Sequence, residues 1–264
     1  MSGAAAPSGG AGGTSDPSGL WAAPVRALLL DVDDTLVDTR AAMVAALTAA
    51  AAPAWPGADE STTARLAGAF YGDAGGFFDA YTRGEITFVE QRRSRLHVAA
   101  DTVGLPRLGD AAFERFEGAY REAFADAQRL FDDVLPLLSA ADTAGVPVGL
   151  LTNSSAQATA DKVEVLGLVG RVASVVTTDT LGVGKPDPRV FARAAADLGR
   201  EPAETLVVGD TIGTDVRGGR AAGMRVAWLQ RAGVPAPRDS GWGGPAPDAG
   251  VRVIGTLDEV AALL

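Results

Sequence analysis

RALLLDVDDTLVDT, residues 26–39, runs from three leucines straight into acid: Leu28, Leu29 and Leu30 precede Asp31, and Asp33, Asp34 and Asp38 follow. An apolar run without polar alternation reads as a strand buried on both faces. Such a strand does not ordinarily finish by collecting like charges. A single aspartate here would pass for a polar turn. Two carboxylates at i and i+2 repel each other where water is scarce, and a divalent cation or a shared proton relieves them. A calcium loop is the wrong fit, because it needs a longer alternation of ligands and a glycine at its sixth position.

The rest of the chain says where that strand belongs. Between about 40 and 130 the pattern is helical: AAMVAALTAA, STTARLAGAF, TFVEQRRSRLHVAADTVG and AAFERFEGAYREAFADA keep apolar residues three and four apart. Short apolar runs then alternate with helices. VPVGLLT (146–152) precedes a helix near 156–166, VASVVTT (172–178) one near 188–198, and TLVVGD (205–210) one near 213–222. MRVAWL (224–229) leads into a Pro/Gly-rich loop, and a strand near VRVI with the helix LDEVAALL closes the chain. This alternation predicts an α/β fold, a parallel sheet with helices on both faces. Ligands in such sheets sit beyond the carboxyl ends of the strands, where Asp31, Thr152 and Asp210 fall. Residues 1–23, mostly Gly, Ala, Ser and Pro, read as a disordered tail.

Composition narrows the chemistry. The 264 residues carry a formal net charge of −10, which argues against nucleic-acid or anionic-membrane partners. There is no cysteine, hence no disulfide and no thiolate site, and the single histidine, His97, rules out multi-histidine metal sites. No Lys or Arg precedes Arg26, so the basic region of a secretory signal is missing, and the alanine-rich stretch 41–55 holds Thr48 and Pro53, a poor membrane span. A cytoplasmic location is expected. Of 23 basic residues only Lys162 and Lys185 are lysines, which makes each of them notable.

Three further segments join the acidic one. In VVGDTIGTDVRGG, Asp210 ends a strand and Asp215 opens a helix; either could be a cap, but with Asp31 the first could hold Mg²⁺ through hard oxygen ligands. In LLTNSS, Thr152 and Asn153 lie where hydroxyl and backbone N–H groups converge before a helix, a place that suits an anion unless Ser154 or Ser155 merely caps it. In GVGKPDPRVF, Lys185 is held in a stiff segment, and a compact ammonium there could meet a carboxylate and a phosphate together.

In chain order these segments resemble the four motifs of the haloacid dehalogenase superfamily, in its phosphatase branch of phosphoglycolate phosphatase-like proteins with a helical cap. The first motif, D-x-D-x-T, is Asp31-Val32-Asp33-Asp34-Thr35; Thr152, Lys185, and Asp210 with Asp215 stand for the others. Thr214, where relatives often carry Asn, and Asp34, where glycine is frequent, are small departures. The resemblance implies a Rossmann-like core over 24–39 and 131–264, with the inserted cap over 40–130.

It further implies a Mg²⁺-dependent hydrolase of small phosphorylated metabolites, a monomer or homodimer. Asp31 would be the nucleophile, and Asp33, protonated at the outset beside Asp31, the acid and base. Asp31, the Asp33 carbonyl and Asp210 would hold the metal, with Asp215 behind them. Thr152, Asn153 and Lys185 would bind phosphate. Cap aromatics Phe70, Tyr71, Phe77, Phe78 and Tyr81 could line the pocket or pack the cap. Arg92, Arg93 and Arg95 could meet a second anion, though a solvated helix face is the plainer reading. His97 and Trp228 read as packing residues. A 2-haloacid dehalogenase shares the nucleophile but uses no metal and typically lacks the second aspartate. A sugar phosphomutase is a further alternative on the same fold, and a catalytically dead binding protein would be missing a motif residue.

Overall fold

The strand Ala27–Leu30 (β1) has all four residues buried, as its leucine run requires. The computed structural model, which describes residues 21–232 and 249–264, sets β1 inside a six-stranded sheet. Its companions are Val148–Leu151 (β2), Ser174–Val176 (β3), Thr205–Gly209 (β4), Arg225–Leu229 (β5) and Val251–Ile254 (β6). Every pairing is parallel and the order is β3-β2-β1-β4-β5-β6. Leu29 lies opposite Gly149 on one side and Val207 on the other. The strand order turns back between β1 and β4, and such a switch point opens a crevice at the strands' carboxyl ends.

Alternate residues of the strands face opposite ways and build two cores. Leu28, Leu30, Leu150, Leu206 and Val208 share one cluster with Leu137 and Leu138. Leu29, Leu151, Val207, Val226 and Trp228 share the other with Val190 and Phe191. Each fully buried leucine of this kind contributes about 1.5–3 kcal/mol.

Six helices lie between β1 and β2: Thr39–Ala54 (α1), Glu60–Gly72 (α2), Phe77–Thr82 (α3), Phe88–Val103 (α4), Asp110–Ala127 (α5) and Val134–Ala144 (α6). Asp38, one of the acidic cluster, is the α1 cap and accepts the Ala41 N–H at 2.9 Å. Thr87 and Glu90 form a reciprocal capping box that starts α4. α1, α2, α4 and α5 bury an apolar cluster of their own, including Leu47, Leu66, Phe70, Leu96, Phe113 and Phe116. This is the inserted helical cap. By contrast α6, a helix absent from the sequence reading, packs Val134, Leu137, Leu138 and Ala141 on the sheet.

After β2 come Ala156–Val165 (α7), Thr178–Leu181 (α8) and Pro188–Asp197 (α9), and after β4 a π-helical turn, Ile212–Val216, runs into Arg217–Ala221 (α10). Asp258–Ala261 (α11) ends the chain.

Two expectations are corrected. Of the expected tail 1–23, residues 1–20 lie outside the described residues, as does most of the Pro/Gly-rich loop. Trp21, however, is docked: its indole N–H donates to the Ala249 carbonyl at 2.9 Å, and the Arg252 guanidinium lies 4.5 Å from the ring centre. The second correction concerns Arg92 and Arg95, which are buried rather than solvated. Glu117 takes the Arg92 guanidinium at 3.0 Å, and the Phe70 carbonyl accepts from Arg95 at 3.0 and 3.2 Å. Both guanidiniums lie over the Phe70 ring, so charge and aromatic faces are satisfied together.

Candidate active site

Asp31 extends β1 by one bond, its N–H donating to the Val208 carbonyl at 2.9 Å, and its side chain is buried just past the sheet edge. Thr152 does the same beyond β2, donating its N–H to Val176 at 3.0 Å. Asp210 follows β4, with its backbone carbonyl accepting from the Trp228 indole at 2.9 Å. Trp228 is thus a core residue, as read, that also steadies a site residue. Because β2, β1 and β4 are neighbours, residues 179 positions apart in sequence meet at one crevice.

The turn after Asp31 is set by Asp34, whose φ is 62°. Glycine suits that conformation; here the Asp34 carboxylate supplies compensating bonds, accepting the Arg40 N–H at 2.9 Å and the Tyr71 hydroxyl at 2.6 Å. The second contact ties cap helix α2 to the turn that follows Asp31.

Lys185 reaches into the crevice from the segment before α9. Its ammonium, almost fully buried, bonds Asp31 and the Asp215 Oδ1, the latter at 2.6 Å. Asn153 holds the Lys185 backbone from both sides, accepting its N–H at 2.7 Å and donating to its carbonyl at 2.9 Å. A Cβ on Gly184 would run into the Asn153 amide, so glycine is needed beside this clamp. Gly209 meets the Asp215 carboxyl group in the same way. Asp215 also accepts the Thr211 N–H at 3.0 Å through its Oδ2, so both of its oxygens are occupied.

Carboxylate oxygens of Asp31, Asp210 and Asp215 lie within 4.8 Å of one another. Burial, opposed by Lys185 and aided by Asp215, pushes the Asp31 carboxyl up to about 7. Burial followed by the charges of Asp31, Asp215 and Asp34 raises Asp210 as well. Such a surplus of anionic oxygen in a dry crevice fits a small, hard divalent cation. With Asp215 committed to Lys185 and Thr211, Asp31 and Asp210 are the carboxylates best placed to hold it.

Asp33 has a different environment from Asp31. Burial acts to raise its carboxyl, but the charge and hydrogen bond of Lys162, with bonds from Thr39 and Ser154, outweigh that and hold it below the usual range. Of the two aspartates, the one whose carboxyl burial raises on balance is Asp31. Lys162 itself escaped the motif reading, because it lies two turns into α7, well past Thr152. Its rarity was the available signal.

Thr152 accepts the Ser154 N–H at 3.1 Å, which leaves its hydroxyl proton to donate elsewhere. Of the cap aromatics, Phe70 is core, Tyr71 reaches Asp34, and Tyr81 contacts both Phe78 and Phe88. His97 packs, with its Nε2 3.2 Å from the Leu108 carbonyl oxygen.

A family model described as haloacid dehalogenase-like hydrolase matches residues 25–223. The chain belongs to that family. Among curated relatives, phosphoserine phosphatase of Thermus thermophilus is 36% identical over 113 residues, 42% of this chain and 45% of that protein. Phosphoglycolate phosphatase of Xylella fastidiosa is 28% identical over 207 residues, 75% of this chain and 77% of that one. Matches to the first such relatives span about half their length. Among solved structures, the hydrolase YfnB of Bacillus subtilis bound to magnesium aligns with a TM-score of 0.68 at 21% identity, covering 92% of this chain and 99% of that one. A defluorinating L-2-haloacid dehalogenase aligns with a TM-score of 0.69 at 23% identity, over 91% and 95%. Phosphatases and dehalogenases of the family thus share this fold, and the site residues must distinguish them. Among the described residues no helix is long and apolar enough to cross a membrane.

Proposed function

We propose that this haloacid dehalogenase-like hydrolase is a Mg²⁺-dependent phosphatase of small phosphomonoesters, working in the cytoplasm. One observation carries the reading: a second aspartate, Asp33, stands beside a nucleophile, Asp31, that is bonded by a buried lysine and clustered with Asp210 and Asp215. A dehalogenase needs neither Asp33 nor a metal-binding cluster. The curated relatives quoted above bear phosphatase names, which supports the same side.

In this mechanism Asp31 attacks phosphorus in line, forming an aspartyl-phosphate as the ester P–O bond breaks. Splitting the hydrolysis in two replaces one hard step with two easier ones. The incoming phosphate, itself negative, acts against ionised Asp33 and favours its uptake of a proton, which Asp33 then gives to the departing oxygen. Asp33 next takes a proton from water as that water attacks phosphorus, and Asp31 is restored. Lys185, the Thr152 hydroxyl and the Asn153 N–H hold the phosphoryl oxygens and offset the charge that develops on them. Asp31, the Asp33 carbonyl and Asp210 would hold Mg²⁺, which supplies charge neutralisation between nucleophile and phosphate. Asp215, through Lys185 and Thr211, keeps this set in register. The helical cap, tied to the turn by Tyr71, would exclude water and select the leaving group.

The test is to incubate the pure protein with Mg²⁺ and a panel of phosphomonoesters, with 2-haloacids as controls. Phosphate release that EDTA abolishes and Mg²⁺ restores is expected. Halide release without metal would replace this reading with the dehalogenase one.

A further inference from the structure

The chain's only two lysines among 23 basic residues each bond one aspartate of the Asp31-Val32-Asp33 pair: Lys185 bonds Asp31 and Lys162 bonds Asp33. Lys185 belongs to the site already described. Lys162 does not, and we propose that it is a positioning residue, holding the Asp33 carboxylate in the orientation that proton transfer requires. This rests on the reading of Asp33 as the acid and base.

Three observations support it. First, both Asp33 oxygens are engaged by donors from separate elements. Oδ1 accepts from Lys162 and from the Thr39 hydroxyl at 2.7 Å, and Oδ2 from the Ser154 hydroxyl at 3.2 Å. A carboxylate bonded on one oxygen can still turn about its last torsion; one bonded on both is fixed. Lys162 is the only charged member of this trio, and charge-assisted bonds are about twice as strong as neutral ones.

Second, Lys162 is buried, 7% exposed. A surface lysine near a helix end would keep its ammonium in water and gain from the helix dipole. Here the head group turns inward, with its nitrogen 6.0 Å from the Phe124 ring centre of cap helix α5. Burying an ammonium is costly unless it is paired and hydrogen-bonded, and the Asp33 carboxylate is the partner that makes the position tenable.

Third, the elements converge on the place where the chain leaves the core for the cap. Thr39 begins α1, Ser154 follows β2, and Lys162 comes from the helix after it. Asp33 is therefore held by both sides of the passage between core and cap, and Lys162 joins the two by contacting Asp33 and facing Phe124.

The decisive experiment is a double-mutant cycle with p-nitrophenyl phosphate and saturating Mg²⁺, comparing the unmodified protein, Lys162→Met, Asp33→Asn and the double variant. Methionine keeps the alkyl stem and removes the charge. Lys162→Met should lower kcat by about ten- to a hundredfold, part of the roughly 10²–10⁴-fold that acid–base catalysis supplies, with KM changed less than about twofold. In the Asp33→Asn background the same substitution should cost little more, because the group it positions is gone. Equal losses from Lys162→Met in both backgrounds would show that Lys162 does not act through Asp33 and overturn the proposal. Undiminished kcat in Asp33→Asn alone would instead remove the acid/base reading on which it stands. Melting temperatures of all four proteins separate folding from rate, and if Lys162→Met does not fold, the same cycle with Lys162→Gln decides between these outcomes.

Discussion

Lys185 donates to Asp215 at 2.6 Å while bonding Asp31, so one buried ammonium joins the first aspartate of the acidic segment to the last aspartate of the fourth segment. The position is enclosed: Asn153 holds the lysine's backbone, and Gly184 leaves no room for a side chain. Arginine keeps the charge but is larger, planar and differently directed. Lys185→Arg should therefore lower kcat/KM by at least roughly one to two orders of magnitude, the scale of one preorganised electrostatic contact. Steady-state kinetics on the folded variant checks this, and undiminished rates would put Lys185 outside the reaction.

The acidic cluster also predicts how stability follows pH. Burial pushes the Asp31 carboxyl up to about 7 in the folded protein, well above the ordinary carboxylate range, and raises Asp210 too. A folded state that binds more protons than the unfolded chain loses stability as pH rises. Between about pH 4 and 7, then, these two groups make the metal-free protein less stable as pH increases. The lowered carboxyls Asp33 and Asp133 act the opposite way, but below the ordinary carboxylate range. Thermal melts in EDTA should fall by a few degrees from pH 5 to pH 8. Adding Mg²⁺ at pH 8 should restore the loss, because a cation favours the ionised carboxylates and binds only the folded site. A melting temperature unaffected by Mg²⁺ at pH 8 would count against a metal at this cluster.

The docked Trp21 changes what the N-terminal segment is expected to do. Its indole N–H bonds Ala249, its ring lies under Arg252, and it packs against the sheet core. Trp21→Ala should lower the melting temperature by a few degrees, with kcat and KM unchanged because the contact lies away from the crevice residues. Calorimetry and kinetics on the same sample test both halves; an unchanged melt would restore the view that residues through 23 contribute nothing.

Much of the crevice was legible because a parallel sheet brings strand ends together. Reading β1, β2 and β4 put Asp31, Thr152 and Asp210 at strand ends, and the strand order β2-β1-β4 makes those ends neighbours. Lys162 was not legible in that way, since its partner Asp33 lies 129 residues earlier and no spacing rule links a helix interior to a turn. Arg92 and Arg95 misled for another reason. Three arginines in four positions look solvated, but Arg92 and Arg95 are in register with Leu96 and Ala99 on the buried face of α4. Glu117 and the Phe70 carbonyl, contributed by other helices, make that burial tolerable.

The central claim is that Asp31 becomes phosphorylated during turnover, and trapping that species tests it most directly. The protein would be mixed with Mg²⁺ and a phosphomonoester that it hydrolyses, quenched during turnover, and treated with borohydride, which reduces an acyl phosphate at aspartate to homoserine. Mass spectrometry of the peptide containing RALLLDVDDTLVDT should then find homoserine at position 31 only when substrate was present, and none in the Asp31→Asn variant. Turnover that leaves Asp31 unmodified, or that survives undiminished in Asp31→Asn, would contradict the account.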